Sequence, residues 1–235
     1  MSELQVFFDD YRLKLLLKHY SGIGGENNVF RGATVLDVGG GEGKEAVLAL
    51  EYRPRFFVLL DKDFAWLKNA RVNLSHLENK TFLCADAESL PLNDKCVDIV
   101  IFRDILHHLL EAYNGIKEGI RVSRKVIFID EPAEGMMRNL INWLLVSFKK
   151  KDKYEIRDGR ELKFRINRKL LERIREEQGV ELFYFSYFYY HFGFFDKVEN
   201  GFLKILIKKM VVIFNTILPV KNRAMIIILP QEKRC

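Results

Sequence analysis

An α/β architecture, a parallel sheet flanked by helices, is what this sequence predicts, on three observations. The chain has 235 residues, 49% hydrophobic and 13% aromatic, which is enough for one large core and excludes a disordered or collagen-like chain. Five short apolar runs, Thr34–Val38, Arg55–Asp61, Thr81–Asp86, Val97–Phe102 and Lys125–Asp130, are rich in β-branched and aromatic residues, and most close on an acidic residue or glycine. Between them, Glu45–Glu51, Phe64–Leu77 and Ile105–Gly119 carry helical spacing with few breakers. Such alternation implies right-handed crossovers and helices on both faces of the sheet.

The flanks extend this pattern. Leu4–Tyr20 reads as an amphipathic helix, and Ser21–Asn28 as a loop rich in glycine and asparagine. After the fifth strand come an apolar helix, Met136–Phe148, a basic stretch, Lys149–Arg175, and an aromatic run, Glu181–Phe192, that reads as a strand. A long helix, Phe194–Leu218, and a last strand, Arg223–Leu229, follow. No repeat or linker divides the chain, so a single domain over 1–235 is expected. Phe202–Leu218 falls short of a membrane span: its longest uninterrupted apolar stretch is Met210–Phe214, where about 20 apolar residues are needed. On a helical wheel Lys197, Lys204, Lys208 and Asn215 share one stripe, which suits a helix packed against the sheet. A helix lying on a membrane surface has the same composition.

Charge divides unevenly. Residues 1–133 hold 17 Lys and Arg against 20 Asp and Glu, whereas residues 134–235 hold 21 against 12. A basic half suits an anionic partner or simply a solvated surface. Three cysteines, Cys84, Cys96 and Cys235, form no CxxC pair, and the N-terminus carries no secretory signal pattern. A cytoplasmic protein without a disulfide framework or a metal site is the expectation.

The most informative stretch is Val35-Leu36-Asp37-Val38-Gly39-Gly40-Gly41-Glu42-Gly43, which ends a strand and opens a helix. Glycines there let the backbone turn and approach a ligand closely. The spacing is GxGxG, not the GxGxxG of dinucleotide sites, because Lys44 stands where the last glycine would be. Asp37, two residues before the glycines, would repel a pyrophosphate and attract an ammonium group.

With Asp37, Gly39, Gly41 and Gly43 in this order, the sequence resembles the class I S-adenosylmethionine-dependent methyltransferases, especially the branch acting on small molecules and quinone precursors. Two further stretches carry the likeness. Leu60-Asp61-Lys62-Asp63 ends the second strand, and Phe82-Leu83-Cys84-Ala85-Asp86-Ala87-Glu88 leads into Val97–Leu109. The resemblance covers residues 30–131 well and is weaker at Ile166–Phe185 and Arg223–Leu229. It implies a Rossmann-like, doubly wound, seven-stranded, mostly parallel sheet with an antiparallel last strand and a small helical cap insertion. It also implies S-adenosyl-L-methionine as cofactor. Asp61 would then receive the ribose hydroxyls, Asp86 the adenine amino group, and Ala87 would offer its amide. Asp37, Gly39, Gly40, Gly41 and Lys62 complete the expected cofactor set. Arg103 stands where relatives carry small or polar residues, so it would meet the cofactor's carboxylate, meet an anionic substrate, or point to solvent. Asp130-Glu131-Pro132 lacks the Asn/Asp-Pro-Pro-aromatic signature of amino-group nucleic-acid methyltransferases.

A sulfonium methyl is already electrophilic, so alignment and exclusion of water matter more than a base. If the acceptor is a hydroxyl, His107, His108, His191 and Glu131 are the candidates for taking its proton. Adjacent histidines at the head of a helix would face different sides. Substrate selection is expected from 1–30, an N-terminal helical cap, and 132–178, a substrate-side insertion. Lys149–Arg175 holds twelve basic and five acidic residues beside the apolar Met136–Phe148 with Trp143, a combination that suits an amphiphilic, anionic small-molecule acceptor. Peripheral membrane contact fits the same pattern. Tyr184, Tyr187, Tyr189 and Tyr190 would line a pocket or belong to the core. An RNA methyltransferase or RNA-binding protein using the basic half is the alternative, and a noncatalytic cofactor-binding partner subunit is a further one.

Overall fold

A computed structural model describes residues 3–132, 156–157, 160–161, 166–187, 198–217 and 223–231. Seven strands form one sheet: β1 (Thr34–Val38), β2 (Phe56–Asp61), β3 (Lys80–Cys84), β4 (Val97–Arg103), β5 (Ser123–Pro132), β6 (Glu181–Tyr187) and β7 (Arg223–Leu229). Their order is β3-β2-β1-β4-β5-β7-β6. The first five are parallel, while β7 runs antiparallel to both β5 and β6. The α-helices among the described residues are α1 (Glu3–Gly22), α2 (Lys44–Ala49), α3 (Phe64–Asn73), α4 (Ala112–Val122), α5 (Arg168–Gln178) and α6 (Gly201–Ile217). A two-rung ladder pairs Ile156–Arg157 with Arg160–Glu161.

Alternation along the strands builds two cores. Leu36, Val58, Val100, Ile127 and Ile226 pack with Ile116 and Ile120 of α4 and Ile174 of α5. Their neighbours Val35, Phe57, Ile99, Val126 and Met225 pack on the opposite face with Leu16 and Tyr20 of α1, Ala46 of α2 and Leu67 of α3. Both faces are covered, and so the central strands read as continuous apolar runs.

Strand order reverses between β1 and β4, and crevices for ligands open beyond the carboxyl ends of the strands at such a point. Pro132, where β5 ends, lies opposite Arg223, and Arg223 lies opposite Tyr187. The chain therefore leaves the sheet after β5 and β6, and returns to β7, at that same carboxyl edge.

Three sequence expectations need correction. Ile105–Gly119 is not one helix: Leu106–His108 is a 3-10 turn and α4 starts at Ala112. Carboxylates break it, because Glu131 accepts from the amides of Ile105 and Leu106, and Glu88 from those of Leu110 and Glu111. The last helix begins at Gly201 rather than Phe194, where the Asn200 side chain accepts from the Leu203 amide at 3.1 Å. That helix also packs on α1 rather than on the sheet, through Ile207 against Leu4 and Phe8. The expected helix Met136–Phe148, Trp143, Tyr189, Tyr190 and His191 lie outside the described residues, as does most of the expected cap insertion.

Candidate functional site

The glycine turn is built by the tip of β2: the amides of Gly39 and Gly40 donate to the Leu60 carbonyl at 2.8 and 3.1 Å. Gly39 has φ +72°, and a Cβ there would meet Ile105 Cγ1 at 2.4 Å, so only glycine fits. Gly41, at φ +50°, is the reverse case, because a Cβ would enter open space. That open side is the cradle.

Asp37 is 1% exposed at the end of β1, and its Oδ2 has no hydrogen-bond partner among the described residues. A Cβ on Gly40 would lie 2.7 Å from that oxygen. Burial raises the Asp37 pKa well above the usual carboxylate range; the nearby charges of Glu45 and Asp61 add to the rise, while Arg103 opposes it. A buried, unsatisfied acceptor is costly, and a cationic donor entering the cradle would satisfy it.

The next two strand tips carry Asp61 and Asp86. Asp61 Oδ2 accepts from the Gly41 amide at 3.0 Å and Oδ1 from the Asp63 amide at 2.9 Å. This fixes the carboxylate against the glycine turn, while each oxygen keeps a second lone pair. Asp86 Oδ1 accepts from the Glu88 amide at 2.9 Å, and Lys62 Nζ sits 2.9 Å from Oδ2. Ala87 is buried in the core layer just beyond.

Arg103 does not point to solvent. Its side chain is 9% exposed and bridges Asp9 of α1 and Glu45 of α2. Next to it, Arg12 of α1 reaches Asp130 at 2.7 Å and Asp104 at 2.9 Å. Arg223 holds the same two acids at 3.0 and 2.6 Å. Tyr187 donates its hydroxyl to Asp130 at 2.7 Å and accepts from Arg12 Nε at 3.1 Å. Burial works against the Asp130 charge, but Arg12 and Arg223 outweigh it and hold its pKa below the usual range. Sequence reading missed Arg12 and Arg223, because a single arginine in a helix or strand gives no sign of its distant partner. An open pocket under α1 is lined by Arg12, Glu45, Arg103 and Asp130 among others.

His107 Nδ1 lies 2.7 Å from Glu131 Oε2, while Glu131 Oε1 takes the amides of Ile105 and Leu106 at 2.7 Å each. The expectation that His107 and His108 face different sides fails: outside a regular α-helix their rings lie side by side, tilted by 40° with centroids 4.0 Å apart. Donor atoms of Asp104, His107 and Glu131 fall within 4.8 Å of one another. Asp104 is already shared by two arginines, and Glu131 by His107 and two amides. Of the tyrosines, Tyr187 is core and Tyr184 is about half exposed.

Comparison with known proteins follows the same lines. Residues 36–126, the stretch holding Asp37, the glycine turn, Asp61 and Asp86, match a family model described as a methyltransferase domain. A curated relative, malonyl-[acyl-carrier protein] O-methyltransferase of Marinomonas sp. (strain MWYL1), is 35% identical over 89 residues, 37% of this chain. The match spans 33% of that relative's length. Among solved structures, the plantazolicin methyltransferase BamL, in complex with SAH, aligns over 98% of this chain and 87% of its own with a TM-score of 0.60 at 16% identity. The [4+2]-cyclase SpnF aligns over 93% and 80% with a TM-score of 0.58 at 16% identity. At such identities these two show the fold alone, and the second is named for a different chemistry. The sheet order and the glycine turn agree with that match, and residues 36–126 of this chain are similar to a methyltransferase domain.

Proposed function

We propose that this protein transfers the methyl group of S-adenosyl-L-methionine to a small-molecule acceptor, an amphiphile with an anionic head. The observation that carries the reading is the buried, unpartnered Oδ2 of Asp37 facing the turn at Gly39–Gly41. It is the acceptor that an amino-acid ammonium needs, met directly or through water. Gly39, Gly40 and Gly41 give the backbone its close approach, Asp61 receives the vicinal ribose hydroxyls, and Asp86 receives the adenine amino group. The Ala87 amide faces the purine, while Lys62 and Arg103 flank the two ends. Acidic groups at three strand tips suit a ligand that carries a cationic sulfonium and ammonium.

When bound, this cofactor supplies a methyl group on a positively charged sulfur. The chain then has to hold the acceptor in line, keep water out and, for a hydroxyl acceptor, remove a proton. Glu131 fixes His107 through Nδ1, which leaves Nε2 as the basic atom, the arrangement of a carboxylate-oriented general base. The caps 1–30 and 132–178 select the acceptor. The basic and apolar composition of the second, and the curated relative named for O-methylation of a malonyl group, support an anionic acyl-like molecule.

Incubation with methyl-labelled S-adenosylmethionine and fractionated metabolite and lipid extracts tests this reading. Label moves to an organic-soluble anionic product, and absence of transfer to any fraction contradicts it. On a hydroxyl acceptor found this way, His107→Gln lowers kcat by about 10²-fold or more. An unchanged rate would leave His107 a packing residue.

A further inference from the structure

Helix α6 is turned inside out for a helix in water. Lys204 and Lys208 point inward, each 2.9 Å from Glu3 of α1, with side chains less than a third exposed. Lys208 also lies over the Phe7 ring, and the two lysines draw the Glu3 pKa down to about 2. Ile207 packs between them on Leu4 and Phe8. The residues left outside are Phe202 (77% exposed), Leu203, Ile205 (54%), Leu206, Met210, Val212 and Ile213, together with exposed Lys209. The sequence stripe of lysines is real, but it is the inner stripe.

An exposed run of seven large apolar side chains over residues 202–213 marks a contact with an apolar phase. We infer that this face rests on an anionic membrane surface. Three observations select that occupant. The exposed face of the helix carries Lys209 and no acid, within a half of the chain that has 21 basic against 12 acidic residues. A second copy docked on the same face by a two-fold axis would bring like charges together. No helix among the described residues is long and apolar enough to cross a membrane, so α6 lies on the surface, its apolar side in the acyl boundary and Lys209 at the headgroups.

Placement adds a consequence. The chain leaves β6 at Tyr187 and returns to β7 at Arg223, both at the carboxyl edge of the sheet, so α6 belongs to the edge that bears the glycine turn. Resting on the proposed methyl-transfer reading, the inference is that the acceptor is drawn from the bilayer, which matches an amphiphile with an anionic head.

Flotation of the full chain with vesicles tests this, using phosphatidylcholine alone and an equal mixture of phosphatidylcholine and phosphatidylglycerol. The wild type is expected to float with the anionic vesicles at least tenfold more than with neutral ones. The combined variant Phe202→Ser, Ile205→Ser, Met210→Ser, altered only at exposed positions, should lose at least tenfold of that binding with an unchanged melting temperature. Failure of the wild type to float, equal flotation on both lipids, or unchanged flotation of the variant would overturn the inference. So would a wild-type dimer in sedimentation that the variant dissolves without any vesicle binding. Titration with S-adenosylhomocysteine, run in parallel, judges the methyl-transfer reading separately, since the three positions lie outside the cofactor set.

Discussion

Asp130→Asn destabilises the protein by about 3–5 kcal/mol, the cost of leaving buried charge without its counterion. Asp130 is 4% exposed and accepts from Arg12, Arg223 and Tyr187. Asparagine keeps the shape and one acceptor but removes the charge, which leaves Arg12 and Arg223 sharing only Asp104. Thermal unfolding at pH 7 should show a fall in Tm of roughly 6–20 °C, at about 2–4 °C per kcal/mol for a chain of this size. The pH dependence follows from the sign of the shift. Because the folded-state pKa values of Asp130 and Asp104 are depressed by their arginines, their contribution is full above the unfolded carboxylate pKa of about 4. It is lost as pH falls through the folded values. The gap between wild type and variant therefore narrows below about pH 4. An unchanged Tm at pH 7 would mean that the network holds nothing together.

Asp61→Ala weakens binding of S-adenosylhomocysteine by about 1–3 kcal/mol, or roughly 5- to 150-fold, if its carboxylate takes the ribose hydroxyls. Two amides already orient it, one from the glycine turn, so the group is preorganised and its loss also frees the turn. The side chain stands at a partly exposed strand tip, so the variant should fold and melt as the wild type does. Asp61→Asn, with one acceptor oxygen in place of two, should fall between. Calorimetry measures all three, and equal affinities would remove Asp61 from the site.

Much of this was legible in the residues. Strands β1 and β7 occur with the predicted bounds, β2 to β5 differ by one to two residues at an end, and of the expected Glu181–Phe192 the described part, Glu181–Tyr187, is β6. Both-face burial makes strands into apolar blocks with glycine or acidic ends, a local signal. Asp37, Asp61 and Asp86 were readable because they sit at fixed offsets from those ends. What could not be read depends on partners far away in sequence. Arg12 occupies the buried stripe of α1 only because Asp104 and Asp130 wait at the sheet edge, more than ninety residues on. Ile105–Gly119 has helical spacing, yet Glu88 and Glu131 take its amides. In α6 the wheel was right and its direction wrong, because Glu3 draws the lysines inward and no periodicity reveals which side a partner occupies.

The most direct measurement is calorimetric titration of the wild-type protein with S-adenosylhomocysteine at neutral pH. A crevice formed by Asp37, the glycine turn, Asp61 and Asp86 predicts saturable binding of one ligand per chain. Heats that never saturate, with protein folded as judged by its melting curve, would contradict it.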